Sequence, residues 1–300
     1  CLHIPEGVEV IPWCCFSKCF GIESIELPSS IKELETLAFF DSYMKSVNLP
    51  EGLEKIGDEA FLMSDRLLEL TVPESCKYIG ERAFGSCPSL QKLNLPSSLE
   101  KIPAKMLQGS WAIEKFDFPS SLKEIGEEAF SYCQALTEVI LPEGLEYIGI
   151  NAFRDCYSIE NAYFPSTLKS IQAGAAAGWE NAKRISCAAS IPPIALCDNV
   201  YPELTPFGYY DAIKGQYATP RETPLYVPKG SAESYRQMAG WDYFTNIKES
   251  EDFAGVVEIP ECQTQGIGTD GIYDLTGRHI NSPTPGQICI KEGRKVIIRK

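Results

Sequence analysis

Residues 141–156 read LPEGLEYIGINAFRDC, and residues 118–133, 23 positions earlier, read FPSSLKEIGEEAFSYC. The same frame stands at 49–64 and 72–87. Each copy has an apolar residue and a proline, two core residues three apart, an Ala-Phe step and then a cysteine or serine. The anchoring prolines Pro5, Pro28, Pro50, Pro73, Pro96, Pro119, Pro142 and Pro165 are separated by 23 residues six times and by 22 once. A period this regular predicts a solenoid of eight turns, each packing only on its neighbours. Function is then expected on an extended repetitive surface, not in an enclosed pocket.

One turn can be read residue by residue. Leu93-Asn94-Leu95 alternates apolar, polar, apolar, as a half-buried strand must. Pro96 stops the strand because it has no N–H to offer a ladder. Leu99 and Ile102 return to the core at a spacing that fits a tight bend. The Ala-Phe step, as in Ala60-Phe61, Ala83-Phe84, Ala129-Phe130 and Ala152-Phe153, is expected on a short helical or 3₁₀ segment. Stacked at the usual strand spacing, the phenylalanines should form a ladder through the core, eight turns making a length of about 38 Å. Met106-Leu107 and Ala175-Ala176 stand where two turns should have Ala-Phe.

Composition narrows the function classes. The chain has 300 residues, 44% of them hydrophobic, enough for a large core. Its 27 Lys and Arg against 41 Asp and Glu give a net charge of -14, which argues against nucleic acid and anionic membranes as partners. No apolar run approaches the roughly 20 residues needed to span a bilayer. Leu2 and Ile4 already occupy strand positions, so the chain opens in mid-repeat and reads as a fragment or mature form. Cys1 leads straight into strand residues and not into the polar tether expected of an acylated cysteine.

Twelve cysteines suggest a disulfide framework until they are placed on the repeat. Cys19, Cys87, Cys133 and Cys156 fall three residues after the phenylalanine slot, where other turns have Ser42, Ser64 and Ser110. That alternation reads as a small buried packing position with reduced thiols. Cys187/Cys197 and Cys262/Cys289 remain as pairs to test for bridges. Cys14-Cys15 with Cys19 lacks partners at zinc spacing, so no metal is expected.

Catalysis finds little to work with. The two histidines, His3 and His279, stand near opposite ends of the chain. There is no G-x-S-x-G, no phosphate-cradling glycine loop followed by Lys-Ser/Thr, and no H-E-x-x-H. Recurrent carboxylates such as Glu127-Glu128 and Asp58-Glu59 read as a solvated edge. No catalytic residue, cofactor or metal is assigned, and a non-enzymatic protein is expected.

With these motifs in place, the frame L-P-x-x-L-x-x-I-x-x-x-A-F-x-x-C resembles the BspA-like leucine-rich repeat family of bacterial surface proteins. Residues 185–248 resemble that family's closing segment, through Ile185-Ser186-Cys187, Leu225-Tyr226-Val227-Pro228, Tyr235 and Trp241. Residues 271–278 and 293–297 are similar to small C-terminal β modules of exported proteins. The resemblance implies a leucine-rich repeat solenoid of short parallel strands, capped C-terminally and followed by a small β module. It also implies a secreted or cell-surface protein that binds host or bacterial surface proteins, and supplies no particular ligand. The expected division is 1–187 solenoid, 188–249 capping region with an elongated aromatic loop, and 250–300 linker and β module.

Two surfaces are expected to bind. The strand row offers one outward position per turn: His3, Glu26, Asn48, Thr71, Asn94, Asp117, Ile140 and Tyr163. Six polar residues give way there to Ile140 and Tyr163, which a solvated face does not require. The elongated loop carries Tyr201, Phe207, Tyr209, Tyr210 and Tyr217, which either cover the open end of the solenoid or, as Tyr209, Tyr210 and Tyr217, form a platform for a glycan. Ser231 to Ala239 reads as a short helix with Ser231 as N-cap and Gly240 as stop, and Tyr235 and Trp241 as plugs. A purely architectural spacer is the third reading.

Overall fold

In the computed structural model, which describes residues 2–197, 204–211, 214, 216–251, 272–273, 288–291 and 294–297, each 23-residue frame closes into one three-sided turn. The first side is the strand before each proline, for example Ser24–Glu26, Ser46–Asn48, Glu69–Thr71, Lys92–Asn94, Glu138–Ile140 and Asn161–Phe164. These strands run parallel, pairing Ile25 with Val47, Leu70 with Leu93 and Val139 with Ala162. The paired central residues are buried and their neighbours face outward. The second side is a two-residue strand such as Lys55–Ile56, Tyr78–Ile79, Lys101–Ile102, Glu124–Ile125 or Tyr147–Ile148, again stacked in parallel.

The third side departs from expectation. The Ala-Phe step is not helical. The residue before Ala, or before Met106 in its place (Leu37, Glu59, Arg82, Lys105, Glu128, Asn151), and the residue two after Phe (Asp41, Met63, Ser86, Tyr132, Asp155) have φ between 50 and 61°. A left-handed residue at every fourth position forbids a right-handed helix. The N–H groups point along the solenoid instead: Phe39 donates to the Ala60 carbonyl, Phe61 to Ala83 and Phe130 to Ala152, at 2.7–2.8 Å. The third side is therefore a third ladder between turns.

Inside this prism one continuous cluster of buried side chains runs from Ile4 to Ile247. The phenylalanines stack face to face: Phe16–Phe39 at 5.3 Å, Phe39–Phe61 at 5.1 Å, Phe61–Phe84 at 5.7 Å, and Phe130–Phe153 at 5.0 Å. Leu107 takes the slot in between. Phe116 and Phe118 fill the space it leaves, their rings 4.9 and 5.5 Å from Phe130.

The small slot after each phenylalanine is more than a packing position. Ser64 Oγ donates to the Phe39 carbonyl (3.2 Å), Cys87 Sγ to Phe61 (3.1 Å) and Ser110 Oγ to Phe84 (2.9 Å). Cys133 Sγ continues the series to Leu107 (3.3 Å) and Cys156 Sγ to Phe130 (3.1 Å). In the next turn Trp179 fills the slot, and its Nε1 reaches the Phe153 carbonyl at 2.9 Å. The slot requires a donor for a buried carbonyl one turn back, which explains why it alternates between hydroxyl and thiol.

One turn interrupts the second-side ladder. Elsewhere the residue after the second-side strand gives its N–H to the turn before: Glu35 to Ile11, Gly57 to Leu34, Gly80 to Ile56, Gly126 to Ile102, Gly149 to Ile125 and Gln172 to Ile148, at 2.8–3.0 Å. Pro103 occupies that place after Ile102 and has no N–H. The second-side sheet ends at Tyr78–Ile79 and restarts at Lys101–Ile102. A surface groove of about 650 Å³ opens between them, lined by Cys76, Tyr78, Glu81, Lys101, Pro103 and Glu127 among others.

The solenoid does not stop at residue 187. Leu225–Pro228 pairs in parallel with Arg184–Cys187, and Ile247–Ser250 adds beyond it. The long stretch between them is one enlarged turn. It supplies a second-side strand at Ile194–Ala195, and its Thr205 and Pro206 carbonyls accept from Gly174 and Ala176 on the third ladder. It also holds the hairpin of Tyr210–Asp211 with Gln216–Tyr217. The helix Ala232–Gln237 and the 3₁₀ turn Trp241–Tyr243 then close the end. Buried Tyr235 donates to the Ala189 carbonyl and buried Trp241 Nε1 to the Pro193 carbonyl, each at 2.7 Å.

Ser231 is not a side-chain cap. Its hydroxyl turns back to the Pro228 carbonyl, and Glu249 accepts the Ala232 N–H in its place. Cys187 and Cys197 are both free, so that candidate bridge is absent; Cys262/Cys289 lies outside the described residues or side chains. The chain divides into Cys1–Ser250 and Glu251–Lys300. In the latter, Ile272–Tyr273, Ile288–Lys291 and Arg294–Ile297 form an antiparallel sheet.

Ser110→Ala removes the donor to Phe84 and an acceptor of the Cys87 N–H, and should cost about 2 kcal/mol in urea unfolding, whereas Ser110→Cys keeps most of that stability. Pro103→Gly restores the missing N–H and should slow amide exchange at Glu100 and Lys101, leaving Lys123 and Glu124 unchanged.

Candidate functional site

Alternation along each first-side strand places one residue per turn on an outward column. His3, Glu26, Asn48, Thr71 and Asp117 are exposed and Asn94 is half-buried. Their contacts are local: His3 Nδ1 lies 3.5 Å from Glu26, and Asn94 Nδ2 donates to Thr71 Oγ1 at 2.9 Å. Ile140 and Tyr163 are adjacent in register and half-buried. The Tyr163 hydroxyl is committed, donating to Glu143 Oε1 at 2.7 Å, and Glu143 also accepts from Ser166 Oγ at 2.8 Å. Burial, with the Glu143 carboxylate beside it, pushes the Tyr163 hydroxyl far above the ordinary tyrosine range.

In register the column continues into the closing segment, where Tyr163 pairs with Ser186, which is fully buried, Ser186 with Tyr226 and Tyr226 with Lys248. Arg184, two residues before Ser186, shares its face. Its guanidinium carbon sits 4.1 Å from the Tyr226 ring centroid, and Lys248 Nζ stands 5.8 Å from the same ring. Sequence reading stopped the column at Tyr163 and missed these residues. The signal was present: Leu225-Tyr226-Val227-Pro228 repeats the strand-then-proline frame of Leu93-Asn94-Leu95-Pro96.

The loop aromatics are not brought to this face. Phe207 is core, packed against Trp241 and Phe244 at 4.6 and 4.8 Å. Tyr209 lies beside the third ladder with the Arg154 guanidinium 5.5 Å over its ring. Tyr210 pairs with Tyr217 in the hairpin. Tyr217 is 37% exposed, edge-on to Tyr243 at 5.7 Å and beneath Arg221 at 5.1 Å. Tyr201 lies outside the described residues. Beside Tyr209, burial pushes the Asp155 carboxyl up against the pull of Arg154, 3.3 Å away.

The buried thiols are poor nucleophiles. Burial raises Cys76 and Cys187 to about 11 and Cys87 and Cys133 to about 12, far from thiolate at neutral pH. Among the described residues no three His, Cys, Asp or Glu side chains gather as a metal-holding group, and no helix is long and apolar enough to cross a membrane.

Comparison with known proteins gives a consistent picture. The family profile for the BspA type leucine rich repeat region matches in six copies, over residues 1–113 and 100–195. A leucine-rich repeat protein from Bacteroides ovatus superposes with a TM-score of 0.58 at 22% identity, covering 83% of this chain and 68% of that one. The leucine-rich repeat protein of T. pallidum (TM-score 0.38, 26% identity) covers 55% of this chain and 72% of its own. A leucine-rich cell surface protein from Faecalibacterium prausnitzii (TM-score 0.38, 19% identity) covers 63% and 59%. No curated protein matches.

Alkylation with iodoacetamide at pH 8 should label Cys14, Cys15 and Cys19 in the folded chain and leave Cys87, Cys133, Cys156 and Cys187 intact, as read by peptide mass spectrometry.

Proposed function

The chain belongs to the BspA-type leucine-rich repeat family, and from that premise we propose that it is a non-enzymatic protein of the bacterial cell exterior that binds a protein partner on the first-side strand face. The observation carrying this reading is the change of character along the outward column. Charged and polar residues from Glu26 to Asp117 give way to Ile140 and Tyr163, then to Tyr226. A stacked strand row turns single outward residues into a continuous strip, with rungs about 4.8 Å apart. Apolar and aromatic side chains left accessible in such a strip are the anchors that protein interfaces use.

Glu26, Asn48, Thr71, Asn94 and Asp117 then form the polar flank of the same surface. They contribute orientation and solubility more than binding energy, because exposed charge contacts are individually weak.

A glycan-binding role is the second reading. It leans on Tyr209, Tyr210 and the accessible edge of Tyr217. Against it, Arg154 and Arg221 already cover one face each of Tyr209 and Tyr217, and a sugar would need those faces for stacking. An architectural spacer is the third, and it predicts no ligand.

Immobilised full chain, exposed to host and bacterial surface extracts, should retain a protein partner. Ile140→Asp should cut that retention at least tenfold while the far-ultraviolet spectrum and urea midpoint stay within error. Undiminished retention by Ile140→Asp rejects the face; retention of glycans on an array, lost on Tyr217→Ala, favours the second reading.

A further inference from the structure

At the C-terminal end of the strand face, unpaired positive charge joins the apolar groups. In a chain of net charge -14, most lysines on the repeats are ion-paired: Lys45 with Glu23, Lys55 with Glu33, Lys101 with Glu124, Lys123 with Glu100, Lys169 with Glu146 and Lys183 with Glu160. Arg184 and Lys248 face outward on the strand sheet and, among the described residues, have no carboxylate within 4.0 Å. Instead they approach the same Tyr226 ring, at 4.1 and 5.8 Å.

This arrangement is pre-formed. The guanidinium carbon lies 4.1 Å from the Tyr226 ring centroid, a cation–π contact, and Arg184 Nε lies 3.4 Å from the buried Ser186 Oγ. With Nε engaged, the two terminal nitrogens remain as a fork whose geometry matches a carboxylate. Lys248, two rungs on, adds a second positive charge.

Granting the protein-docking function on which this step rests, we propose that the face binds an extended acidic segment of the partner, with a carboxylate held by Arg184 and Lys248 over Tyr226 and an apolar side chain seated on Ile140 and Tyr163. The register sets the spacing. Ile140 to Tyr226 is three rungs, about 14 Å at the usual strand separation. An extended chain advances about 3.3 Å per residue, so the acidic and apolar residues of the partner stand about four positions apart. Ile140 favours a peptide over an anionic glycan, since it offers no polar group to a sugar hydroxyl.

The test uses the full chain and a fluorescently labelled ten-residue peptide with two adjacent glutamates and, four positions on, a Leu-Val pair. Glutamine-for-glutamate and lysine-for-glutamate versions serve as controls, with anisotropy read at 50 and 300 mM salt. The glutamate peptide should bind, and weaken about tenfold with Arg184→Gln and several-fold with either Arg184→Lys, which keeps the charge but loses the fork, or Lys248→Gln. The glutamine peptide should bind the parent chain as poorly as the glutamate peptide binds Arg184→Gln, and high salt should erase most of the difference.

Equal binding of the three peptides, or an unchanged affinity in Arg184→Gln and Lys248→Gln, overturns the acidic preference. If Ile140→Asp still abolishes binding in that case, the docking face stands and only its charge selectivity falls. No binding of the glutamate peptide at millimolar concentration, or an anionic glycan bound through Arg184 in its place, also overturns the proposal.

Discussion

A chain that turns three corners in 23 residues buries backbone carbonyls that no water can reach, and the fold rests on satisfying them from the next turn. An unpaired buried carbonyl costs on the order of a kcal/mol or more, repeated at every rung. The slot three residues past each phenylalanine meets that cost with a hydroxyl, a thiol or, at Trp179, an indole N–H. The external ladders are held as closely: at Gly57, Gly80, Gly126 and Gly149 a Cβ would stand 2.4–2.8 Å from a backbone nitrogen of the turn before. Glu35, the four glycines and Gln172 each bring the N–H that this ladder uses, and Pro103 does not.

Because every rung is held from within, the outer residues have little structural work to do. The outward column can therefore change from carboxylates and amides to Ile140, Tyr163 and Tyr226 without altering the turn beneath it. That separation between a fixed interior and a free exterior lets one repeat frame carry different surfaces. It also means that binding character has to be read from side chains at particular registers, not from the frame.

The frame was legible because its period is long, regular and punctuated by proline. The strands, the phenylalanine stack and the inward placement of Phe116 can be read directly from it. Three things were hidden. The left-handed residues of the third side are mostly not glycine (Leu37, Glu59, Arg82, Lys105 and Asn151 among them, against Gly109, Gly174 and Gly178), so composition does not mark them, and Ala-Phe reads as helix. The donor role of the Cys/Ser slot hides behind the size shared by those two residues. The last rungs, at Leu225–Pro228 and Ile247–Ser250, lie beyond an insertion that breaks the period, and Tyr226, Arg184 and Lys248 went unrecognised with them. Only the pairing of strands far apart in sequence reveals that these three residues meet.

Pro103 has a consequence for how Cys1–Ser250 comes apart. In a stack of units bound only to their neighbours, cooperativity is the product of the coupling at each junction, and a single weak junction divides the melt. The missing donor lies between the rungs at Tyr78–Ile79 and Lys101–Ile102, with comparable numbers of turns on either side. The first-side pairing of Glu69–Thr71 with Lys92–Asn94 and the third-side bonds from Arg82, Phe84 and Ser86 to Ala104, Met106 and Gln108 still cross this junction, so one of its three sides is weakened and two hold. A single imino acid thus lowers the coupling between the turns on either side without severing it.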